Sequence, residues 1–266
     1  MKHPYVGLWL LLAIALGFFT YLSSLDEIKI FGLEFKPSGL YEAVAATPAK
    51  NQDTATALKT RDKINTQGQD KDVTEKAKCD TTAKNILFIG DSMLEGLSPR
   101  MAAYAKANGH KIHSVIWYSS TSEVWGRSNK LRGYISKFKP DFIIICLGAN
   151  ELFVRNIKEK RLKYVKAILK DIGNIPYVWI GPPNWKEDTG INDLISMNAS
   201  RGSFFLSKNL KFDRSKDGAH PTRKSAIYWM DSVASWMTHN SAHPIKMKKP
   251  SVSTAHCPTI ILQPQQ

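Results

Sequence analysis

The stretch from Asn85 to Leu94, NILFIGDSML, constrains the fold more than any other. Its apolar run has the length of a strand and stops at Gly90, and the helical spacing Leu94, Leu97, Met101, Tyr104 begins just beyond it. Gly90, Asp91 and Ser92 are therefore expected to form a tight strand-to-helix turn. Such a turn puts Ser92 at the rim of a sheet and near a helix N-terminus, where unpaired backbone N–H groups favour an anion. The place suits a nucleophile. It equally suits an N-cap, the commonest role of Ser or Asp before a helix.

From Asn85 onward, strand and helix patterns alternate. A helix over about 93–108 should stop at Gly109, with Ser98-Pro99 marking a restart after one short turn. Strands follow at 111–118, 141–147, 176–180 and 204–206, and helices around Leu131 to Phe138, 156–172, 192–199 and 221–237. The third strand is nearly continuously apolar, as expected where both faces of a parallel sheet are covered. The alternation predicts an α/β domain with a five-stranded parallel sheet. Sheets of this kind bind ligands beyond the carboxyl ends of their strands, where the strand order reverses. With the order 2-1-3-4-5, Ser92 and the loop after the third strand face one crevice.

That loop reads Leu147-Gly148-Ala149-Asn150-Glu151. Gly148 permits a sharp turn, and Asn150 can aim an amide N–H at a developing oxyanion; ordinary turn chemistry is the plainer reading of Gly-x-Asn. A third loop, Asp217-Gly218-Ala219-His220-Pro221, precedes the last helix. An Asp three residues before a His can take the Nδ1 proton and leave Nε2 to accept one from a serine. Taken singly, each loop reads as a turn. Their common rim raises the catalytic reading.

In that order and spacing, Gly90-Asp91-Ser92, Gly148-Ala149-Asn150 and Asp217-x-x-His220 resemble blocks I, III and V of the SGNH (GDSL) hydrolase superfamily, over roughly residues 85–239. The resemblance implies a flavodoxin-like α/β/α sandwich and a serine esterase without metal or organic cofactor. It implies Ser92 as nucleophile, His220 as base and then acid, and Asp217 as its orienting partner. The Ser92 N–H and the Asn150 side chain would line the oxyanion hole. Block II departs from the pattern: where the family has a glycine, this chain has Tyr118-Ser119-Ser120-Thr121-Ser122-Glu123, and an N–H near Ser120 is the expected replacement. Glu151 stands where many members have Asp.

The remainder of the chain sets the context. Residues 4–25, PYVGLWLLLAIALGFFTYLSSL, carry no charge, and about 20 apolar residues cross a bilayer as a helix. Trp9 and Tyr21 sit near the two ends as interfacial anchors. The segment is expected to be an uncleaved signal anchor, with residues 1–25 a cytoplasmic stub and span and the rest of the chain outside the cytoplasm. Residues 26–84 read as a juxtamembrane segment and flexible linker, 85–240 as the hydrolase domain, and 241–266 as a basic polar tail. Cys79 and Cys257 flank the domain, and an oxidising compartment would let them pair; Cys146 reads as a buried thiol, and no zinc-like spacing is present. The formal charge of +14 suits a polyanionic partner, but no nucleic-acid-binding module accompanies it. Trp185, in the rigid Gly181-Pro182-Pro183-Asn184-Trp185 loop, is placed to stack on a sugar.

The expected function is a membrane-tethered esterase that removes small acyl groups, chiefly acetyl, from a cell-envelope or extracellular glycan. The same triad would serve an O-acyltransferase acting on a glycan. A catalytically silent glycan-binding domain is the reading from a different class.

Overall fold

The computed structural model describes residues 28–30, 33–35 and 78–264. The apolar segment 4–25 and most of the linker lie outside these residues. Among the described residues no helix is long and apolar enough to cross a membrane. The chain divides into two units, residues 1–71 and 72–266. In the first, β1 (Ile28–Ile30) and β2 (Leu33–Phe35) pair antiparallel, with Ile28 opposite Phe35.

The second unit is built on a parallel sheet of β3 (Asn85–Gly90), β4 (Lys111–Trp117), β5 (Phe142–Cys146), β6 (Tyr177–Ile180), β7 (Phe204–Phe205) and β8 (Thr259–Leu262). The order is β7-β6-β5-β3-β4-β8. The five strands expected from sequence take the order 2-1-3-4-5, and the sheet has six strands rather than five. The sixth comes from the tail: Thr259-Ile260-Ile261-Leu262 pairs with Ser114 to Trp117 of β4. Without it, β4 would present an unpaired row of backbone groups to solvent. The tail is thus part of the domain, with Ile245 and Met247 buried. The domain also includes residues upstream of Asn85, because Asp80 pairs with the tail, its N–H donating to Pro244 O and its carbonyl accepting from Lys246 N–H.

Period-two alternation of side chains divides the core into two layers. Ile86 and Phe88 of β3, Phe142 and Ile144 of β5, and Val178 and Ile180 of β6 face α1 (Leu94–Asn108) and α6 (Arg223–His239). Leu87, Ile89, Ile143, Ile145 and Trp179 face the other way, toward α2 (Ser122–Arg127), α3 (Lys130–Phe138), α4 (Ile157–Ile172) and α5 (Ile191–Asn198). Strands covered on both sides explain why β5 is apolar throughout.

Helix α1 runs unbroken through Pro99, where the sequence predicted a restart. Pro99 lies in its second turn, and the hydrogen bond that a proline cannot give falls at Glu95, on the exposed side of the helix. Ser98 is buried and its hydroxyl meets Ser114 Oγ at 2.9 Å, so it serves packing rather than capping. All three described cysteines are free; Cys79 and Cys257 do not pair.

Candidate active site

Three loops leave the carboxyl ends of β3, β4 and β5, and a fourth precedes α6. At the first, a Cβ on Gly90 would lie 2.0 Å from the carbonyl oxygen of Cys146, so only glycine lets β3 pass β5 there. Asp91 is fully buried and joins two loops: Oδ1 accepts from Met93 N–H at 3.0 Å, and Oδ2 from Ala149 N–H at 3.3 Å. Burial pushes its carboxyl up to about 7, against those two bonds. Ser92 follows, half-buried, just before α1, and its N–H has no partner among the described residues.

His220 comes to Ser92 from the opposite side. Its Nε2 lies 2.8 Å from Ser92 Oγ, and its Nδ1 lies 2.7 Å from Asp217 Oδ2. With the Nδ1 proton donated to Asp217, Nε2 is left to accept from the serine hydroxyl. The second oxygen of Asp217 accepts from the N–H groups of Ala219 at 2.9 Å and His220 at 3.0 Å, a tight turn that requires the positive φ of 70° at Gly218. These bonds, the two backbone donors and the imidazole, hold the Asp217 carboxyl down at about 2 although it is half exposed.

Arg214 fixes this loop from below. Its guanidinium donates to Ala219 O at 2.7 Å, and to Asn184 O at 3.0 Å and Pro183 O at 3.3 Å in the loop after β6. Sequence reasoning missed Arg214 because its partners are carbonyls, which leave no mark in the residue types.

The block II loop differs from expectation by one residue. Ser120 is buried, its N–H donates to Trp117 O at 3.2 Å, and its hydroxyl accepts from Trp125 Nε1 at 3.0 Å. Its N–H is therefore engaged and is not an oxyanion donor. The bond from Ser120 to Trp117 closes a turn whose third residue, Ser119, has φ 56°, a conformation that type II turns usually give to glycine. Ser119 is exposed at the site, and its N–H has no partner among the described residues. Ser119 lines the same cleft as Ser92. Asn150 donates one amide N–H to Ser120 O at 2.9 Å, which fixes its side chain beside that turn and leaves its second N–H.

A buried ion pair clamps these loops together. Glu151 is fully buried; Oε2 accepts from Ser122 N–H at 2.8 Å, and Oε1 from Ser122 Oγ and Arg161 Nε, each at 2.7 Å. Arg161 also meets Glu123 at 2.9 Å. Burial raises the Glu151 carboxyl, opposed by Ser122 and Arg161. The carboxylate thus joins the loop after β5 to the start of α2 and to α4.

Trp185 is placed differently from its expected role on a sugar. Its Nε1 donates to Ala149 O at 3.0 Å, and its ring meets Phe153 edge-on at 6.2 Å. It buttresses the Gly148–Glu151 loop, and Gly148, with φ 124°, packs on Pro182 of the same neighbouring loop. Gly148, Asn150 and Trp185 all lie outside the lining of the cleft that opens at Ser92. That cleft, about 610 Å³, runs from Ser92, Ser119 and His220 between α1 and α6 toward Thr254 of the tail.

No protein-family model and no curated protein sequence matches the chain. Among solved structures, it is similar to the psychrotrophic esterase EstA from Pseudoalteromonas sp., at 17% identity over 57% of this chain and 96% of that one, with a TM-score of 0.45. It is also similar to a protein of the G-D-S-L family from Desulfitobacterium hafniense, at 14% identity over 57% and 98% of the two chains, with a TM-score of 0.41. A gut microbial diltiazem-metabolizing enzyme follows at 13% identity, covering 64% of this chain and 38% of that one, with a TM-score of 0.33.

Proposed function

We propose that the domain is a serine ester hydrolase that removes small acyl groups, acetyl above all, from a cell-envelope or extracellular glycan. The observation that carries the reading is the unbroken relay from Ser92 Oγ through His220 to Asp217, at 2.8 and 2.7 Å. His220 Nε2 takes the hydroxyl proton as Oγ attacks the ester carbonyl. The oxyanion is received by the N–H groups of Ser92 and Ser119 and by the Asn150 amide. His220 then gives the proton to the departing alcohol, leaving an acyl group on Ser92 Oγ. Water, deprotonated by the same imidazole, attacks this acyl-enzyme; the carboxylic acid leaves and the serine is restored. Asp217 holds the imidazole tautomer throughout and stays ionised.

Two features support the substrate and its location. The uncharged stretch 4–25 has the length and composition of a membrane anchor, and the sequence from 46 to about 84 reads as a polar tether. The charge of +14 favours an anionic polymer near a membrane. The domain is accordingly placed outside the cytoplasm, in a periplasm or on a cell surface. The N–H groups of Ser92 and Ser119, without a partner among the described residues and beside the Ser92–His220–Asp217 relay, speak against a silent binding domain.

The test is release of p-nitrophenol from p-nitrophenyl acetate by the full chain, beside Ser92→Ala. Turnover that is lost with the hydroxyl supports the reading. A folded wild-type protein with no turnover on short-chain esters or acetylated glycans overturns it.

A further inference from the structure

The cleft beside Ser92 has one wall that the catalytic relay does not use. It is made by the first turns of α6 and by the tail, where Arg223 stands over the cleft with Ala226, Ile227 and Thr254. Most described arginines have their charge answered: Arg100, Arg127, Arg132 and Arg161 each meet a carboxylate, and Arg214 meets three carbonyls. Arg223 makes one contact, from Nη2 to Thr254 Oγ1 at 3.3 Å, and meets no carboxylate within 4.0 Å among the described residues. A guanidinium has five N–H donors in a planar fork that fits a carboxylate or phosphate with two parallel bonds.

Its partner is held in place. Arg100, 3% exposed and bound to Asp231 at 2.6 Å, donates to the carbonyls of Val252 at 2.6 Å and Ser253 at 3.1 Å. On the other side of Thr254, Ala255 N–H donates to Pro99 O at 2.9 Å. Thr254 is thus pinned from both neighbours, and its hydroxyl directs Arg223 over the cleft. The two acids of the same cleft keep their charge but do not reach Arg223. Asp217 is bound by His220 and two backbone N–H groups, and Glu95, on the α1 side, accepts from Tyr118 OH at 3.2 Å.

We propose that this wall is a subsite for an anionic group of the substrate, a carboxylate or phosphate near the ester, held by Arg223. The proposal rests on the reading of the domain as an ester hydrolase and narrows its substrate to acidic esters. Arg223 is a specificity residue under this assignment. Thr254 is a positioning residue, and the tail is part of substrate recognition.

The test uses the full chain and two pairs of esters that differ only in charge. The alcohol-side pair is 4-acetoxybenzoate and its methyl ester; the acyl-side pair is p-nitrophenyl hydrogen glutarate and its methyl ester. Each rate is corrected for spontaneous hydrolysis. In at least one pair, the wild type should favour the charged member by roughly tenfold or more in kcat/KM, as expected for a charge-assisted bidentate contact. Which pair responds shows the side of the ester that enters the cleft. Arg223→Ala should collapse that preference, Arg223→Glu should reverse it, and Arg223→Lys should keep part of it. Added salt should weaken it in the wild type. Arg223 is exposed, and unchanged thermal midpoints would show that the variants fold. Hydrolysis of the esters with a charge preference that is absent in the wild type, or unchanged in Arg223→Ala and Arg223→Glu, overturns the proposal. A folded wild type that hydrolyses none of the four esters and no acetylated glycan refutes the hydrolase reading, and the subsite falls with it.

Discussion

Asp217→Asn is the substitution whose effect the geometry defines most closely. Two backbone N–H groups, of Ala219 and His220, point at one carboxylate oxygen, and His220 Nδ1 lies against the other. An asparagine keeps its turn by placing its carbonyl oxygen on those N–H groups, which leaves its NH2 facing Nδ1. A donor there requires an unprotonated Nδ1, so the neutral imidazole carries its proton on Nε2, toward Ser92. In that tautomer it is unable to accept the hydroxyl proton. The same inversion in a serine protease triad costs about 10⁴-fold in kcat. Asp217 is half exposed here, so water can soften the mismatch, and a fall of roughly 10³- to 10⁴-fold is expected.

The pH dependence supplies a second readout. Because the Asp217 pKa is held near 2, below the ordinary 3.8, its favourable contribution is complete above about pH 4 and is lost as pH falls through 2. Asp217 therefore adds no ionisation to the rate profile above pH 4. The assay is p-nitrophenyl acetate turnover from pH 4 to 9, with circular dichroism to confirm the fold. A variant that keeps more than a tenth of wild-type kcat would refute this account of the tautomer.

Asn150→Ala should lower kcat by about 10²- to 10³-fold with little change in KM, the usual loss for one oxyanion donor; a change of less than fivefold would remove Asn150 from that role. Ser119→Gly relieves a left-handed residue that costs an L-amino acid roughly 1–2 kcal/mol, so urea denaturation should show equal or higher stability while activity persists. A clear loss of both would mean that the Ser119 side chain, rather than its N–H, matters. Glu151→Ala removes the buried partner of Ser122 and Arg161, and should cost about 3 kcal/mol by denaturant unfolding, the low end for a broken buried pair because Arg161 keeps Glu123. A cost below about 1 kcal/mol would show that the clamp is not needed.

Much of this domain is legible in its sequence. Strands covered on both faces leave apolar runs such as Phe142–Leu147, and the relay residues sit in turns whose chemistry is local: Gly90-Asp91-Ser92 and Asp217-x-x-His220. What escaped depends on distant partners or on backbone conformation. β8 is four residues long and partly exposed, and only its pairing with β4 makes it a strand. The exchange of Ser119 for Ser120 in the block II loop turns on one positive φ in a run of serines, where the residue types are identical. Glu151 and Arg161 lie ten residues apart with a turn and a helix start between them, and Arg223 meets Thr254 across 31 positions. Pro99 misled in the other direction: a proline near a helix start usually opens the helix, whereas here its missing bond falls on an exposed turn.

The most direct test of the account is the place where a covalent bond forms. The full chain is treated with a fluorophosphonate, which phosphonylates an activated serine oxygen with loss of fluoride, and is then mapped by peptide mass spectrometry. The account predicts one adduct, on Ser92, that is lost in His220→Ala although the hydroxyl remains. A folded protein that takes no adduct, or takes it at another serine, would contradict the assignment of Ser92 as nucleophile.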